Sequence, residues 1–269
     1  MRAPTCAPAG SPARRAAVVR YERPGAAALV TIDRPERRNA IDGPTADALH
    51  EAFRRFVADE EARVLVLAGA GEEAFCAGAD LKALDTLGPR LDLPEGPLGF
   101  SRLSSPKPTI AAITGWCLAG GFELALWCDL RVATPSARFG FTERRFGVPL
   151  IDGGTQRLPR IVGSGRALDL VLSGRIVEVE EAERIGLVTE VVPPGTHVER
   201  ALAMAERLAA FPQDTMLSDR RAVLEGAGLP LVQGLALEAQ LGRGRHGTAL
   251  AGAERFAGGE GRHGEGTGI

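Results

Sequence analysis

Two short runs constrain the fold of this chain more than any other feature. VLVLAG at Val64–Gly69 and TIAAITG at Thr109–Gly115 are unbroken stretches of aliphatic and small residues that begin 45 residues apart. They lack the polar alternation of a strand with one wet face, so they read as strands buried on both faces, with other elements covering the sheet. Upstream, AVVRYE and AALVTID are short, β-branched and bounded by Gly, Pro or charged residues, which predicts a hairpin or adjacent strands from Ala16 on. Asp42, Gly43 and Pro44 make a helix start, and Leu49, Phe53, Phe56 and Val57 then line one helical face. The Pro- and Gly-rich segment Gly88–Gly99 reads as a mobile loop. After Gly120, FELALWCDL reads as a helix, RVAT as a strand and ARFGF as an extended piece, so the chain alternates α and β to this point. From Gly163 it turns mostly helical: GRALDLVLSG, VEEAERIG, a strand LVTEVVP, and Ala/Leu/Arg-rich stretches from Val198 to Phe256. That last third predicts a helical appendage that covers the core or joins subunits.

Composition sharpens this picture by exclusion. With 269 residues, 45% of them hydrophobic and 25% charged, the chain suits one large domain with a sizeable core. Its 32 basic and 34 acidic side chains leave a net charge of −2, which excludes a nucleic-acid binder held by a bulk positive field. No apolar stretch has the length of a bilayer span and the first residues carry no apolar signal core, so a cytoplasmic protein is expected. Residues 1–15 and the Gly-rich residues 259–269 read as disordered tails. Cys6, Cys76, Cys117 and Cys128 form no CxxC pair and have no histidine at ligand spacing, so buried thiols are expected rather than a disulfide framework or a zinc site. Only two basic residues are lysines, Lys82 and Lys107, which makes those two stand out.

No GxxxxGK[ST], HExxH or GxSxG motif occurs. Gly69, Gly71 and Ala74 follow a strand in the G-x-G-x-x-A spacing of a dinucleotide site, with Asp92 about 20 residues on. Gly78, however, would break the first turns of the phosphate-binding helix, and the Pro-rich segment after Gly88 would interrupt the βαβ unit. Two other stretches are richer in meaning: AFCAGADLKAL at Ala74–Leu84 and ITGWCLAGGFELALWCDL at Ile113–Leu130. Small residues at strand ends let backbone N–H groups approach a ligand closely. Two such groups aimed at one oxygen make an oxyanion hole, and a helix starting near Gly120 adds its dipole, so the chemistry served is an enolate or a tetrahedral oxyanion. Each stretch alone is equally a tight turn needed for packing. Glu123 is either a dipole partner in the first turn of its helix or an acid–base group, and Glu143 is either such a group or a surface acid paired to Arg144 or Arg145.

IDRPERRNAI, AFCAGADLKAL, AGGFELALWCDLRVA, FGFTERRFGVP and GGTQRLPRIVG occur in the order found in the crotonase (enoyl-CoA hydratase/isomerase) superfamily, and the chain resembles that family over roughly residues 16–260. The 20 residues between Glu123 and Glu143 also match the family's spacing. The resemblance implies an α/β crotonase-like fold, in which repeated ββα units form a spiral over residues 16–195 and a C-terminal helical region over 196–258 builds a trimer or a hexamer. It also implies an acyl-CoA thioester substrate and no metal or redox cofactor. By motif position, the N–H groups of Ala79 and Gly120 would hold the thioester oxygen, and Glu123 and Glu143 match the two catalytic glutamates. Arg37, Asn39, Ala40 and Lys82 match the region contacting coenzyme A, with Ala77, Gly78, Asp80, Leu81, Gly121 and Phe122 beside the substrate.

Two departures fall near the expected acyl pocket. Phe122 stands where the hydratase pattern has a smaller residue, and GVPLIDGG replaces a glycine- and alanine-rich GTIPGAGG. Counting back from GTQRLP puts Asp152 where dienoyl-CoA isomerases carry an aspartate, whereas counting forward from Glu143 puts Ile151 there. Asp152 before two glycines is equally an ordinary turn residue. The leading expectation is hydration of a 2-enoyl-CoA, or the reverse, with Glu143 giving a proton to C2 and Glu123 orienting and activating the water. The alternatives are a double-bond isomerase, a non-catalytic acyl-CoA binder, and a nicotinamide-dependent oxidoreductase resting on Gly69–Ala74.

Overall fold

A computed structural model describes residues 17–260. The expected tail at residues 1–15 and Cys6 lie outside this range, as does most of the tail at 259–269. Gly259 and Glu260 are inside it, their N–H groups donating to the Phe256 and Arg255 carbonyls, so the chain stays folded slightly beyond the expected boundary.

Among the described residues, ten strands form two sheets. The strands are β1 (Val19–Glu22), β2 (Ala27–Ile32), β3 (Val64–Gly69), β4 (Ala74–Cys76), β5 (Thr109–Ile113), β6 (Trp116–Leu118), β7 (Leu130–Ala133), β8 (Arg138–Gly140), β9 (Val177–Glu178) and β10 (Glu190–Val191). The larger sheet has the order β1-β2-β3-β5-β7-β10 and the smaller β4-β6-β8-β9. Consecutive strands therefore go to different sheets: β3 then β4, β5 then β6, β7 then β8. Each repeat adds one parallel strand to each sheet, which is the spiral expected from the sequence. The antiparallel pair β1–β2 is the expected hairpin. The strand expected over LVTEVVP shrinks to β10, only Glu190 and Val191 pairing with β7.

The period of two in β3 explains why its run is unbroken. Leu65 and Leu67 enter the main core with α1 (Gly43–Ala58) and α2 (Gly120–Trp127). Val64, Val66 and Ala68 face Ala201, Met204 and Ala205 of α6 (His197–Ala210), so each face has a helix over it. The remaining helices are α3 (Gly154–Val162), α4 (Ser164–Ser173), α5 (Val179–Arg184), α7 (Gln213–Gly226), α8 (Leu231–Arg243) and α9 (His246–Ala257). α6 is thus part of the core, while α7 to α9 carry exposed apolar side chains such as Val223, Val232 and Phe256.

Asp42 caps α1, accepting from the Thr45 N–H at 3.0 Å, and Lys107 closes its other end through the Phe56 and Asp59 carbonyls. That is the structural role of one of the two lysines. Leu49, Phe53 and Phe56 are buried as the sequence predicts, but Val57 is 40% exposed, because one step round from Phe56 brings it to the edge of the apolar stripe. The segment 88–99 is not simply a loop: it contains a 3-10 turn at Gly88–Arg90 and buries Leu98. The dinucleotide spacing fails on topology, since a second strand, β4, follows β3 where a phosphate-binding helix would have to start.

α2 buries every side chain from Gly121 to Trp127, so it runs through the core rather than over it. Its passage depends on glycine: a Cβ on Gly121 would lie 2.1 Å from the Cys76 carbonyl oxygen. Gly121→Ala is expected to cost about 1–3 kcal/mol through overpacking, read as a lower urea midpoint with an unchanged slope.

Candidate active site

The strand ends of β4 and β6 build one wall of a cavity of about 660 Å³. Ile41 pairs with Ala79 in a short parallel bridge, with the Ile41 N–H donating to the Gly78 oxygen and the Asp80 N–H to the Ile41 oxygen. In that pattern the Ala79 N–H points to the other side, toward the cavity it lines. Gly120 opens α2, where the first N–H groups have no partner within the helix. No described residue accepts from either N–H. The two turns come together because Gly78 has no side chain: a Cβ there would sit 2.8 Å from the Gly120 nitrogen. Between them Ala119 adopts φ 51 and ψ −130, a conformation costly for a residue with a Cβ.

Glu123 and Glu143 reach this cavity from different elements. Glu123 is one turn into α2 and 2% exposed, the only charged side chain of that helix. Its Oε1 accepts from the Gly154 N–H at 2.7 Å and the Asp152 N–H at 3.1 Å. Glu143 lies in the 3-10 turn Thr142–Phe146 and is 7% exposed, with its Oε2 buried and unpartnered. Glu143 is buried while Arg144 and Arg145 beside it are exposed and form no ion pair with it among the described residues, so the surface-acid reading of the sequence fails. Burial, reinforced by the charges of Asp152 and Glu143, pushes Glu123 up to about 8 against the pull of its two N–H bonds. Burial alone pushes Glu143 up to about 7, with its own N–H and Arg144 opposing.

Asp152, 4% exposed, lines the same cavity, and so does Ile151. Both residues left open by the sequence register are therefore present at the site. Burial raises the Asp152 carboxyl, opposed by the Ser101 hydroxyl and the Leu98 N–H.

Of the other residues singled out from the sequence, Arg37, Ala40, Ala77, Asp80, Leu81 and Lys82 line the cavity. Asp80 is also structural, capping the following turn through the Lys82 N–H and pairing with Arg34 at 3.2 Å. Four do not line it. Asn39 is fully buried and braces the turn, accepting from the Arg34 N–H and donating to the Ala70 and Ala74 carbonyls. Gly78 and Gly121 act by lacking a side chain. Phe122 points away from the cavity into an aromatic cluster, with ring centroids 4.7 Å from Phe141 and 5.6 Å from Phe139. A residue one step from Glu123 is turned about 100° round the helix, which carries Phe122 into the core. Its size therefore fills the interior rather than narrowing the pocket.

Val148 and Pro149 belong to the GVPLIDGG stretch expected near the pocket, but the sequence reading missed most of the apolar wall: Leu84, Leu87, Leu91 and Leu98 from one side and Phe146 from the other. Their only signal was apolar residues inside Pro/Gly-rich segments, where a loop has no other reason to carry them.

A sequence model described as enoyl-CoA hydratase/isomerase matches residues 22–251. The chain belongs to that family, the crotonase superfamily. A probable enoyl-CoA hydratase of Rhizobium meliloti is 40% identical over 226 residues, covering 82% of this chain and 86% of the relative. A carnitinyl-CoA dehydratase of Salmonella arizonae is also 40% identical, over 194 residues, covering 71% and 74%. Among solved structures, an enoyl-CoA hydratase from Mycobacterium marinum superposes with a TM-score of 0.84 at 34% identity, covering 90% of this chain and 96% of that one. Among the described residues no helix is long and apolar enough to cross a membrane.

The raised glutamates couple the site to stability. Since Glu123 is pushed from 4.5 to about 8, the folded protein keeps a proton that the unfolded chain releases. Its contribution is full below the unfolded value and is lost as pH rises through the folded one. Glu123→Gln escapes that loss, so its melting temperature should gain several degrees on the parent between about pH 5 and about pH 9. An equal difference at both pH values, by scanning calorimetry, would show an unperturbed carboxyl.

Proposed function

We propose that this protein hydrates a 2-enoyl-CoA thioester, or dehydrates the matching 3-hydroxyacyl-CoA. The observation that carries the reading is the convergence, in one largely apolar cavity, of two perturbed glutamates and two N–H groups without acceptors. An enoyl thioester resists attack by water until its carbonyl is polarised. The N–H groups of Ala79 and Gly120 are the donors that would hold the oxygen as it gains enolate charge, a role worth several kcal/mol for such a pair. Water attacks C3 while a carboxylate takes its proton, and a second carboxyl delivers a proton to C2. In this scheme Glu123, oriented by its two N–H bonds, holds and activates the water, and Glu143 is the donor to C2.

One group must be ionised and one protonated at the start. Values of about 7 and about 8 put the pair in that state near neutral pH, and they belong to the pair rather than to either residue alone. Arg37 and Lys82 at the cavity mouth suit the anionic groups of coenzyme A, and the leucine-rich wall suits an acyl chain. The reaction as proposed needs neither a metal nor a redox cofactor, coenzyme A being part of the substrate. The exposed apolar side chains of α7 to α9 would be covered in a homotrimer or a dimer of trimers.

A second reading, movement of the double bond without water, is favoured by one observation: a third carboxyl, Asp152, lies in the same cavity. Product mass separates the two. With a panel of short, medium and branched trans-2-enoyl-CoA esters, the expected outcome is a gain of the mass of water and loss of conjugated-thioester absorbance. Glu143→Gln is expected to lower kcat by at least about 10²-fold. The kcat/KM profile should be a narrow bell, with its limbs near the two values of the pair. An unchanged mass with a shifted double bond would move the assignment to isomerisation. Binding without any product would leave an acyl-CoA-binding protein.

A further inference from the structure

Three carboxyl groups meet at the cavity, and the proposed hydration uses two of them. The third is the most firmly held. Asp152 Oδ1 accepts from the Ser101 hydroxyl and from the Leu98 N–H at 3.4 Å. Arg157 donates to the Asp152 carbonyl at 2.7 Å and to the Ser101 carbonyl at 2.6 Å, tying the segment around residue 101 to the loop around residue 152. That loop in turn supplies both hydrogen bonds to Glu123, from the Asp152 and Gly154 N–H groups. The direction of the Glu123 carboxyl thus follows from where Asp152 is pinned, and the pin comes from a segment 51 residues away in sequence.

We propose that Asp152, pinned by Ser101, is a positioning residue for Glu123: it aims the Glu123 carboxyl through the loop it anchors and, by its own charge, keeps the working proton on the Glu123–Glu143 pair. Its catalytic consequence rests on the hydratase reading; the positioning itself does not. The charged groups packed around Glu123 are few. Asp152 comes from the loop before α3, Glu143 from its 3-10 turn and Arg157 from α3, while the thiols of Cys76 on β4 and Cys117 on β6 are buried and held neutral. Arg157 is the cation that acts on Glu123, its guanidinium turned to two carbonyl oxygens, and Arg102, whose charge acts on Asp152, donates to the Ile151 carbonyl at 3.3 Å. Removing the Asp152 charge therefore removes the larger of the two like-charge repulsions on Glu123, the other being that of Glu143.

Asp152→Asn keeps the size of the side chain and an oxygen for Ser101 and Leu98, but drops the charge. Infrared titration of the protonated-carboxyl band, assigned to Glu123 by its loss in Glu123→Gln, should show a midpoint at least about one pH unit lower in Asp152→Asn than in the parent. The alkaline limb of kcat/KM should move down with it, while KM changes by less than about twofold. Ser101→Ala leaves the charge and frees the loop, so it should lower kcat about tenfold with the alkaline limb in place. A band that titrates alike in Asp152→Asn and the parent overturns the proposal, and so does an unaltered kcat in Ser101→Ala, which decides alone should Asp152→Asn fail to fold. If the parent hydrates no enoyl-CoA, the hydratase reading fails, and the infrared midpoint still decides the role of Asp152.

Discussion

The site depends on one close approach of backbone to backbone. β4 and β6 pair side by side, with Cys76 opposite Cys117, so the two turns that leave them run out together. They touch because Gly78 and Gly121 present hydrogen where any other residue would present a Cβ, against the Gly120 nitrogen in one case and the Cys76 oxygen in the other. Ala119 is driven into a positive φ to let the chain pass from β6 into α2, a strain of about 1–3 kcal/mol that the buried α2 must hold. Two N–H groups come out on one wall with no oxygen among the described residues to satisfy them. An unsatisfied donor is costly in a folded protein, and here the cost is borne at the place where a ligand's oxygen would offset it.

The same burial that anchors α2 sets the chemistry of its one carboxyl. A helix surrounded by core can carry Glu123 only if the charge is avoided or met by donors, and this structure does both: burial favours the proton, while the Asp152 and Gly154 N–H groups fix one oxygen. Glu143 is held differently, on a short turn at the cavity edge, with one oxygen buried and unmet. Two like groups thus meet one cavity with different surroundings. Such asymmetry lets one carboxyl of a pair keep its proton while the other ionises.

Much of this was legible in the sequence, because it is local. An unbroken apolar run signals a strand covered on both faces, a glycine pair at a strand end signals close approach, and a glutamate inside an apolar helix signals a perturbed acid. Legibility ended where direction or distance in the chain mattered. Phe122 is next to Glu123 in sequence yet faces the opposite interior, and only the angle at which α2 enters decides that. Asn39 falls inside a motif but spends its side chain bracing Ala70 and Ala74. The segment 88–99 looked mobile because proline and glycine dominate it, whereas Leu98 packs into the core and holds Asp152. Contacts between residues so far apart leave no periodicity to read.

The division between what is regular and what is not also bears on selectivity. The two open N–H groups and Glu123 sit on strand ends and a buried helix, which the spiral fixes. The apolar wall comes from residues 84–98 and 146–151, outside the sheets and long helices. Relatives at the same 40% identity carry names for different acyl groups, an enoyl-CoA hydratase and a carnitinyl-CoA dehydratase. Overall identity therefore tracks the fixed part and says little about the wall. In this chain the two parts are not independent. Leu98 lines the wall and donates to Asp152, and Asp152 donates to Glu123, so a change in the wall segment that displaced Leu98 would reach the Glu123 carboxyl through two hydrogen bonds. The chain of contacts that shapes the apolar wall is also the chain that aims Glu123.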